Sequence, residues 1–468
     1  MFLTRVGPIL FFLLVPVHQK SIGCPQNLPK SCVCYSKLDE SRKESSSVES
    51  SENFRIECLS SNLENFPNFI PPTIEEVDLS RNNLKKLSPI ENLESLKNLS
   101  LSRNHIYSIE PRSFDNVISL AILDLSHNSF RILPSTIFAP LKDLKKLDLS
   151  YNQLDYLLSD FFKTQTQLIS LNLEGNKLHN LPVDIFDNLE RLEILDLARN
   201  QLNSLPNSIL IENLALHYLD LSWNQFTQIP TSIIQDARNL RSLVFDGNPI
   251  RKLDRTSFSK MANLTGLSVS ESSRMVSIGN NTFSNLCSLQ VLRIIGNIRL
   301  TTIHPEAFSG LHRSPHCSNL KKIFLTDNSL RTLKEGILPR AKYDEIDLAL
   351  NPWNCDCDLA WIRDFPAIMH DDLICNEPKN IAGHNIFDIS AEKFVCNEED
   401  GNENMGKVAI LGISVTFLFI SGLLIGAFLQ RSEILDWFLG RRKCKGSIYY
   451  VKAPGSINED RGGIINDV

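Results

Sequence analysis

The sequence predicts an α/β solenoid, in which short coils of chain stack side by side and their strands form one curved parallel β-sheet. The first observation is an asparagine that recurs every 24 residues, inside copies of the pattern L-x-x-L-x-L-x-x-N-x-L. The second is an apolar position on the opposite side of each coil, which repeats in the same phase. Because two independent residue types keep one period, the pattern excludes a helical protein that is merely rich in leucine.

The leucines and the asparagine of each coil are expected to have separate roles. Leu144, Leu147 and Leu149 would point inward from a short strand and stack on their counterparts in the next coil. Asn152 would turn the chain away from the sheet, and its amide would bond the backbone of neighbouring coils, so that buried peptide groups are not left unpaired. A repeat of this length and pattern is typical of the leucine-rich-repeat fold. The repeating asparagines are Asn128, Asn152, Asn176, Asn200, Asn224 and Asn248, and the apolar series is Phe114, Phe138, Phe162, Phe186, Leu210, Ile234 and Phe258.

We expect about twelve coils over residues 74–350, and two places in this run are irregular. Ser272 stands where an asparagine belongs, and the step from Asn297 to Asn328 is lengthened by an insert around residues 310–316. Irregular coils fit two interpretations equally well. They can mark a bend or a partner site, or they can reflect relaxed selection on one coil.

The two ends of the chain predict a single-pass membrane protein with its repeats outside the cell. Residues 1–23 combine Arg5, a short apolar core and small residues at their end, as in a secretory signal peptide. Residues 408–429 carry no charge and are long enough to cross about 30 Å of hydrocarbon. The preceding flank is mainly acidic, with residues 397–407 as a stalk, and the following flank is mainly basic. Basic flanks stay cytoplasmic, so we expect plasma-membrane localisation with residues 430–468 as a short cytoplasmic tail.

Eight of the eleven cysteines fall at the two ends of the repeats and predict caps at residues 24–73 and 351–396. The end coils of a solenoid expose core leucines and need covering, and secreted caps are commonly held by disulfides. Zinc binding is the competing interpretation of the C-x-C groups, but a secreted chain disfavours it. From the residues alone, each cap allows three disulfide connectivities.

The segment 351–361, with its C-x-C and two later cysteines, resembles the C-terminal flanking module of extracellular leucine-rich-repeat proteins. The front group of cysteines resembles the matching N-terminal module, apart from a long insert at 35–57 that we expect to be a floppy loop. Over nearly all of residues 24–396 the chain resembles the ectodomains of this family, which includes neuronal adhesion and guidance proteins and the Toll receptors. It lacks the Toll intracellular domain. The resemblance implies the pairs Cys24–Cys34, Cys32–Cys58, Cys355–Cys375 and Cys357–Cys396, and binding of other proteins through the curved face.

The other three cysteines and the tail carry weaker signals. Cys287 and Cys317 lie at nearly equivalent places in successive coils, so they form either a fifth disulfide or two buried thiols. Cys444 is a candidate for S-acylation, with a plain reduced thiol as the alternative. Tyr449 and Tyr450 are candidate phosphorylation sites in a tail too short to fold by itself. The motif Gly422-x-x-x-Gly426 would let two copies of the membrane helix pack closely as a dimer.

Residue types that are enriched at protein interfaces gather at the position directly before each repeating asparagine. This position is expected to vary freely from coil to coil. We predict a ligand-binding region there, with scattered surface aromatics as the alternative. Tyr218 joins the region because it lies close to Trp223 in the same coil. The candidate residues are Arg103, His127, Tyr151, Arg199 and Trp223 at the position before the asparagine, together with Tyr218.

Two further features bear on the binding face. Aspartates between the core leucines, such as Asp148 and Asp196, fit either an acidic face for a basic ligand or the residue this repeat usually carries there. N-glycosylation is predicted at Asn98, Asn263 and Asn280. Because Asn98 falls on the strand face, a glycan there would screen the N-terminal end of that face.

The sequence carries no catalytic motif, so we expect neither an enzyme nor a cofactor. His304, His312 and His316 lie close together in the insert, but loop histidines without a carboxylate partner are usually solvated. A net charge of −6 disfavours nucleic acid as the partner. The first functional hypothesis is an adhesion molecule or co-receptor that binds an extracellular protein. An innate-immune pattern-recognition receptor or accessory without its own signalling domain is the second, and a matrix-organising protein is the third.

Overall fold

The computed structural model describes residues 24–25, 27–37, 53–313, 317, 319–338, 343–365, 367–369 and 372–396. All of these belong to one compact unit that ends at Cys396. The predicted signal peptide, stalk, membrane span and tail, with Gly422, Gly426, Cys444, Tyr449 and Tyr450, lie outside the described residues. Within the described part, no helix has both the length and the apolar character needed to cross a membrane.

Short strands recur through the whole described region. In chain order they are β1 (Val33–Lys37), β2 (Asn53–Glu57), β3 (Glu76–Asp78), β4 (Lys86–Leu87), β5 (Asn98–Ser100), β6 (Ser108–Ile109), β7 (Ile122–Asp124), β8 (Lys146–Asp148), β9 (Ser170–Asn172), β10 (Ile194–Asp196), β11 (Tyr218–Asp220), β12 (Ser242–Val244), β13 (Lys252–Leu253), β14 (Gly266–Ser268), β15 (Ser277–Ile278), β16 (Val291–Arg293), β17 (Thr302–Ile303), β18 (Lys322–Phe324), β19 (Glu345–Asp347), β20 (Trp353–Asn354) and β21 (Cys375–Glu377).

Fourteen of the described strands form the main sheet, in the order β1-β2-β3-β5-β7-β8-β9-β10-β11-β12-β14-β16-β18-β19. From β2 onward each neighbour is parallel and in register, as where Leu195 pairs with Leu219. In each three-residue strand of the main sheet the middle residue is buried, whereas the first residue is more exposed. The sheet therefore has one core-facing side and one side open to solvent, which we call the open face.

The first pair of strands departs from the sequence-based expectation. The insert at 35–57 was expected to be a floppy loop, but its described ends belong to β1 and β2, which pair as an antiparallel hairpin. Tyr35 donates a hydrogen bond from its hydroxyl to Glu57 across this hairpin, at 2.5 Å. The hairpin places Ile56 over the first coil, where it is fully buried. It therefore covers the end of the core.

The expected role of the repeating asparagine is confirmed. The Oδ1 atom of Asn152 accepts a hydrogen bond from the N–H of Phe130 in the preceding coil, at 3.2 Å. Its Nδ2 atom donates to the carbonyls of Leu125 and Leu149, both at 3.0 Å. Each asparagine thus satisfies backbone groups of two coils. The same bonds are made by Asn82, Asn104, Asn128, Asn176, Asn200, Asn224, Asn248 and Asn351.

The side of each coil that faces away from the sheet is packed around the predicted apolar series, but it contains little α-helix. All seven residues of the series, from Phe114 to Phe258, are buried, and Phe138 contacts Phe114 with ring centroids 5.9 Å apart. The α/β expectation is correct for the parallel sheet, whereas the described residues contain only two short α-helices, α1 (Thr231–Ile234) and α2 (Ser309–Arg313). After the strand and the asparagine turn, a 24-residue coil leaves too little chain to offset the cost of starting a helix. Turns fill the space instead.

The irregular coils replace the asparagine bonds with other contacts. Ser272 is fully buried, and its hydroxyl has no hydrogen-bond partner among the described residues. The N–H of Ile250, which would reach an asparagine at position 272, donates instead to Asn248 of its own coil at 2.8 Å. Here β13, β15 and β17 form a second parallel sheet, and β4 and β6 pair similarly near the N-terminus. The insert forms α2, and His316 lies outside the described residues.

Five disulfides join the ten cysteines of the described region. Four are the pairs that the resemblance to the flanking modules implies. The fifth joins Cys287 to Cys317, so these two cysteines form a disulfide and are not two buried thiols. The C-terminal cap also contains the paired strands β20 and β21 and 3-10 helices at Ala360–Asp364, Ile386–Asp388 and Ala391–Lys393. The disulfides are Cys24–Cys34, Cys32–Cys58, Cys287–Cys317, Cys355–Cys375 and Cys357–Cys396.

Candidate functional site

The position before each repeating asparagine forms a column along one edge of the sheet, which we call the rim. Every rim residue has a left-handed backbone, with φ between 50° at Tyr151 and 67° at Gly175 and Gly247. The cause is a hydrogen bond between coils: the rim N–H of Tyr151 donates to the carbonyl of Glu174 at 2.7 Å. The residue type varies along the rim as expected, but a left-handed backbone favours glycine, so each side chain here is held in a strained conformation. The rim residues are Arg103, His127, Tyr151, Gly175, Arg199, Trp223 and Gly247.

The N-terminal half of the rim is a continuous stack of side chains. The Nη2 atom of Arg103 lies 3.4 Å from Nε2 of His127. The His127 and Tyr151 rings are parallel, with centroids 4.5 Å apart and an interplanar angle of 2°. The other face of Tyr151 covers Gly175, where an added Cβ would lie 2.8 Å from the ring. Both faces of the tyrosine ring are therefore covered, and its edge is what solvent reaches.

The C-terminal half of the rim repeats this arrangement with a larger ring. The guanidinium carbon of Arg199 lies 5.1 Å from the centroid of the Trp223 ring. The other face of that ring covers Gly247, where an added Cβ would lie 2.5 Å away. Tyr151 and Trp223 nevertheless keep 40% and 41% of their surface exposed. Such partly exposed, fixed aromatic side chains are the residue type that most often anchors a protein partner.

Glu174 connects the two halves of the rim. Its Oε1 atom accepts a hydrogen bond from the Tyr151 hydroxyl at 2.6 Å and forms an ion pair with Arg199 at 3.2 Å. The hydrogen bond to Glu174, followed by burial, raises the pKa of the Tyr151 hydroxyl. Sequence reasoning did not find this residue, which precedes Gly175 at a place where most coils carry serine. Its one signal was a carboxylate directly before a rim glycine, which Asp246 repeats before Gly247.

One of the six predicted binding residues lies apart from the rim. Tyr218 is on β11 of the open face, where its hydroxyl donates to Asp220 Oδ2 at 3.3 Å. Burial and the nearby Asp220 and Asp196 charges raise the pKa of Tyr218. The structure thus joins Arg103, His127, Tyr151, Arg199 and Trp223 in one surface and places Tyr218 on the adjoining sheet.

The aspartates of the open face have a structural role. In Asp148, Asp196 and Asp220, Oδ1 accepts a hydrogen bond from the backbone N–H two residues later, at 2.8–2.9 Å. The same bond recurs in other coils, so an aspartate here stabilises the turn after the strand. Burial, with the negative charges of Asp220, Glu174 and Asp148 in addition, raises the pKa of Asp196 to about 7. This favours the interpretation that the repeat itself requires the aspartates.

The shift at Asp196 predicts a pH-dependent stability. The native carboxyl keeps its proton from pH 3.8 up to about 7, an interval in which the unfolded chain has released it. The contribution of this carboxyl to stability is fully present below pH 3.8, its pKa in the unfolded chain. It is lost as pH rises through about 7, its pKa in the folded protein. Because asparagine keeps the acceptor without the charge, Asp196→Asn should be more stable than the parent by about 1–2 kcal/mol near pH 8, with no gain near pH 4.

Urea unfolding at both pH values would measure this effect. Asp254→Asn is the control with the opposite sign, because a hydrogen bond from Thr256 lowers the pKa of Asp254. Asp254→Asn should therefore be less stable than the parent at neutral pH, and this difference should shrink in acid. Equal stability of Asp196→Asn and the parent near pH 8 would contradict the prediction.

Close packing of Trp223 on Gly247 predicts a coupling between these two positions. Gly247→Ala should destabilise the protein by about 2–4 kcal/mol, since the new methyl group meets the ring and the left-handed backbone disfavours a side chain. In a Trp223→Ala background the ring is absent, and the same change should cost about 1 kcal/mol. Thermal unfolding of the four proteins measures the coupling. An equal cost in both backgrounds would mean that the ring does not pack on Gly247.

The predicted glycosylation sites differ in exposure. Asn263 and Asn280 are exposed, whereas Asn98 is half-buried in β5. One group of potential metal ligands, Cys357, Asp358 and Cys396, occurs among the described residues. Its two cysteines form a disulfide and offer no thiolate.

Comparison with known proteins agrees with the fold. Residues 94–154 and 166–226 match the leucine rich repeat model, and residues 227–351 match the model of the BspA type leucine rich repeat region (6 copies). Vasorin from Mus musculus is 31% identical over 172 residues, which cover 34% of this chain and 24% of Vasorin. Vasorin from Homo sapiens is 30% identical over an equal length. The chain spans about a quarter of the length of these curated relatives.

Two solved structures share the fold at low sequence identity. The complex of Drosophila Toll with Spatzle gives a TM-score of 0.55 at 21% identity, covering 72% of this chain and 54% of that one. The complex of TLR13 with ssRNA13 gives a TM-score of 0.51 at 20% identity, covering 69% and 54%. At 20–21% identity, the similarity shows a shared repeat fold alone.

Proposed function

We propose that this leucine-rich-repeat chain is a cell-surface receptor or adhesion molecule that recognises an extracellular protein through its rim and acts through partner proteins. The observation that carries the proposal is the continuous rim stack from Arg103 to Trp223. Its side chains are exposed, yet each is held by its neighbours. Binding then orders few side chains, which lowers the entropic cost of association.

The covered ring faces support a protein ligand over a nucleic acid. Proteins that hold single-stranded nucleic acid stack bases on free aromatic faces. Tyr151 lies between His127 and Gly175, and Trp223 lies between Arg199 and Gly247, so neither ring has a free face. Ring edges and polar ends remain for contact, which suits the side chains and backbone of a folded protein. The solved RNA complex of TLR13 is therefore a weaker guide to this chain than the protein complex of Toll.

Extracellular display is part of the same proposal. Five disulfides fit an oxidising compartment. The predicted signal peptide and the uncharged segment 408–429 would place the repeats outside the plasma membrane. An innate-immune role remains the second candidate. It uses the same rim and differs in the ligand, which would be a microbial product.

Alanine variants of the two rim aromatics test the proposal. The full chain is displayed on cells and probed with a panel of secreted and cell-surface proteins to find a ligand. Tyr151→Ala and Trp223→Ala should then each weaken binding about 10-fold or more, as expected for central aromatic anchors. The matched control is Tyr156→Ala, because Tyr156 is 43% exposed and lies off the rim. Unchanged binding by both rim variants would exclude the rim as the site.

A further inference from the structure

A groove of about 300 Å³ lies on the open face near its N-terminal end. It crosses strands β2, β3, β5 and β7, and its lining includes Arg55, Glu76, Asn98, Ile122 and Asp124. The wall combines polar side chains with apolar surface, to which Ile122 contributes. A space of this volume is at the lower end of the range for small-ligand sites, about 300–1,000 Å³.

Asn98 is the attachment point of a predicted N-linked glycan, and its side chain is part of the groove wall. Its Nδ2 atom donates a hydrogen bond to Glu76 Oε1 at 3.0 Å. A sugar bonded to Nδ2 starts one covalent bond from this wall. The first sugar therefore has to occupy the groove or its mouth, whatever direction the rest of the glycan takes.

The groove offers hydrogen-bonding groups suited to a sugar. Arg55 forms ion pairs with Glu57 and Glu76 at 2.8 and 3.5 Å, and its side chain is 31% exposed. Asp124 Oδ2 accepts from the Ser100 hydroxyl at 3.1 Å and has a second lone pair to offer. Sugars present hydroxyl donors and acceptors, which can pair with the Asp124 carboxylate and with the N–H groups of Arg55.

We propose that this groove binds the first sugar of an N-linked glycan on Asn98, so that the glycan is a fixed part of the open face. The inference rests on the secretory route assumed in the proposed function. In the transfer step, Asn98 Nδ2 forms a bond to C1 of the sugar, while the bond from C1 to the oxygen of a lipid-linked diphosphate donor breaks. The donor leaves with that electron pair, and one Nδ2 hydrogen departs as a proton. The other hydrogen remains and keeps the bond to Glu76.

A fixed sugar here defines which part of the open face a partner can reach. The groove spans the hairpin and the first coils, whereas the rim stack continues from His127 to Trp223 beyond it. The glycan thus closes the N-terminal end of the sheet and leaves the middle of the rim accessible. Asn263 and Asn280 are exposed. Asn263 Nδ2 donates to the Arg238 carbonyl at 2.9 Å, so Asn280 is the stricter reference for a glycan outside the groove.

Native deglycosylation compares the three sites within one molecule. The full chain is purified from animal cells in mild detergent and treated with an amidase that cleaves the bond between asparagine and sugar. Glycopeptide mass spectrometry then follows each site. We expect Asn98 to lose its glycan at least about tenfold more slowly than Asn263 and Asn280, and all three to react alike after reduction and denaturation.

Two variants test whether slow release of the Asn98 glycan depends on the groove. Arg55→Ala and Asp124→Asn should speed release at Asn98 and leave the rates at Asn263 and Asn280 unchanged, which also verifies folding. An unmodified Asn98 would overturn the proposal, as would release at Asn98 as fast as at Asn280, or slow release that neither variant alters. None of these outcomes bears on the rim, whose alanine variants test the proposed function separately.

Discussion

Asn152→Ala is expected to lower the free energy of unfolding by about 3–5 kcal/mol, because it leaves a buried N–H without an acceptor and removes two further buried hydrogen bonds. The N–H of Phe130 loses its acceptor, and the carbonyls of Leu125 and Leu149 each lose one of their two asparagine donors. Water does not reach these groups once the coils are stacked. Urea unfolding measures the loss, and hydrogen exchange should show it concentrated in the coils of Asn128 and Asn152.

The matched control for Asn152→Ala is Asn203→Ala, because Asn203 is exposed and bonds only its neighbour Ser204. A surface change of this kind should alter the stability by less than about 0.5 kcal/mol. A loss below 1 kcal/mol at Asn152 would mean that the asparagine bonds contribute little to the stacking of the coils.

The double variant Cys32→Ser/Cys58→Ser is expected to destabilise the protein by more than about 3–4 kcal/mol, the loss from freeing a loop of this length in the unfolded chain. The two cysteines are 26 residues apart and join the open end of the hairpin, directly before β1 and directly after β2. Without the bond β1 can separate from β2 and loosen the cover over Ile56, which is fully buried. The N-terminal coils should then exchange amide hydrogens fastest.

Cys287→Ser/Cys317→Ser is the matched control for this second prediction. Its cysteines are 30 residues apart, so the contribution from the unfolded chain is nearly the same. Its bond joins neighbouring coils inside the array and covers no end. Any additional loss at the N-terminal pair therefore measures the value of covering the core. Equal losses in the two variants would contradict a capping role for the hairpin.

The repeat period predicts much of the fold, because each of its positions has one physical role. The inward leucines, the asparagine bonds and the apolar series from Phe114 to Phe258 all follow from local pattern. The short turns in place of helices do not follow from it. They depend on how much chain remains in each coil, as do the hairpin of β1 and β2 and the second sheet of β13, β15 and β17.

The rim shows where sequence reasoning stops. Residue type alone identified Arg103, His127, Tyr151, Arg199 and Trp223, but the left-handed backbone and the covered rings depend on contacts between coils. One usable signal was present: Tyr151 and Trp223 are each followed, 24 residues later, by a glycine. Glu174 and the separate place of Tyr218 required the coordinates, because side-chain direction decides both.

Ser272 has a mechanical consequence for a protein pulled from its two ends. Repeat arrays are held mainly by contacts between adjacent coils, and at this coil the asparagine bonds are missing. Beyond it, Cys287–Cys317 ties the following coils covalently. The paired strands β13 and β15 hold the coils of Asn248 and Ser272 instead, so under tension we expect these two coils to part when this two-residue pairing breaks, which an optical trap would register as a separate extension step. The whole rim lies on the N-terminal side of that break, so a ligand held there could stay engaged while the array lengthens.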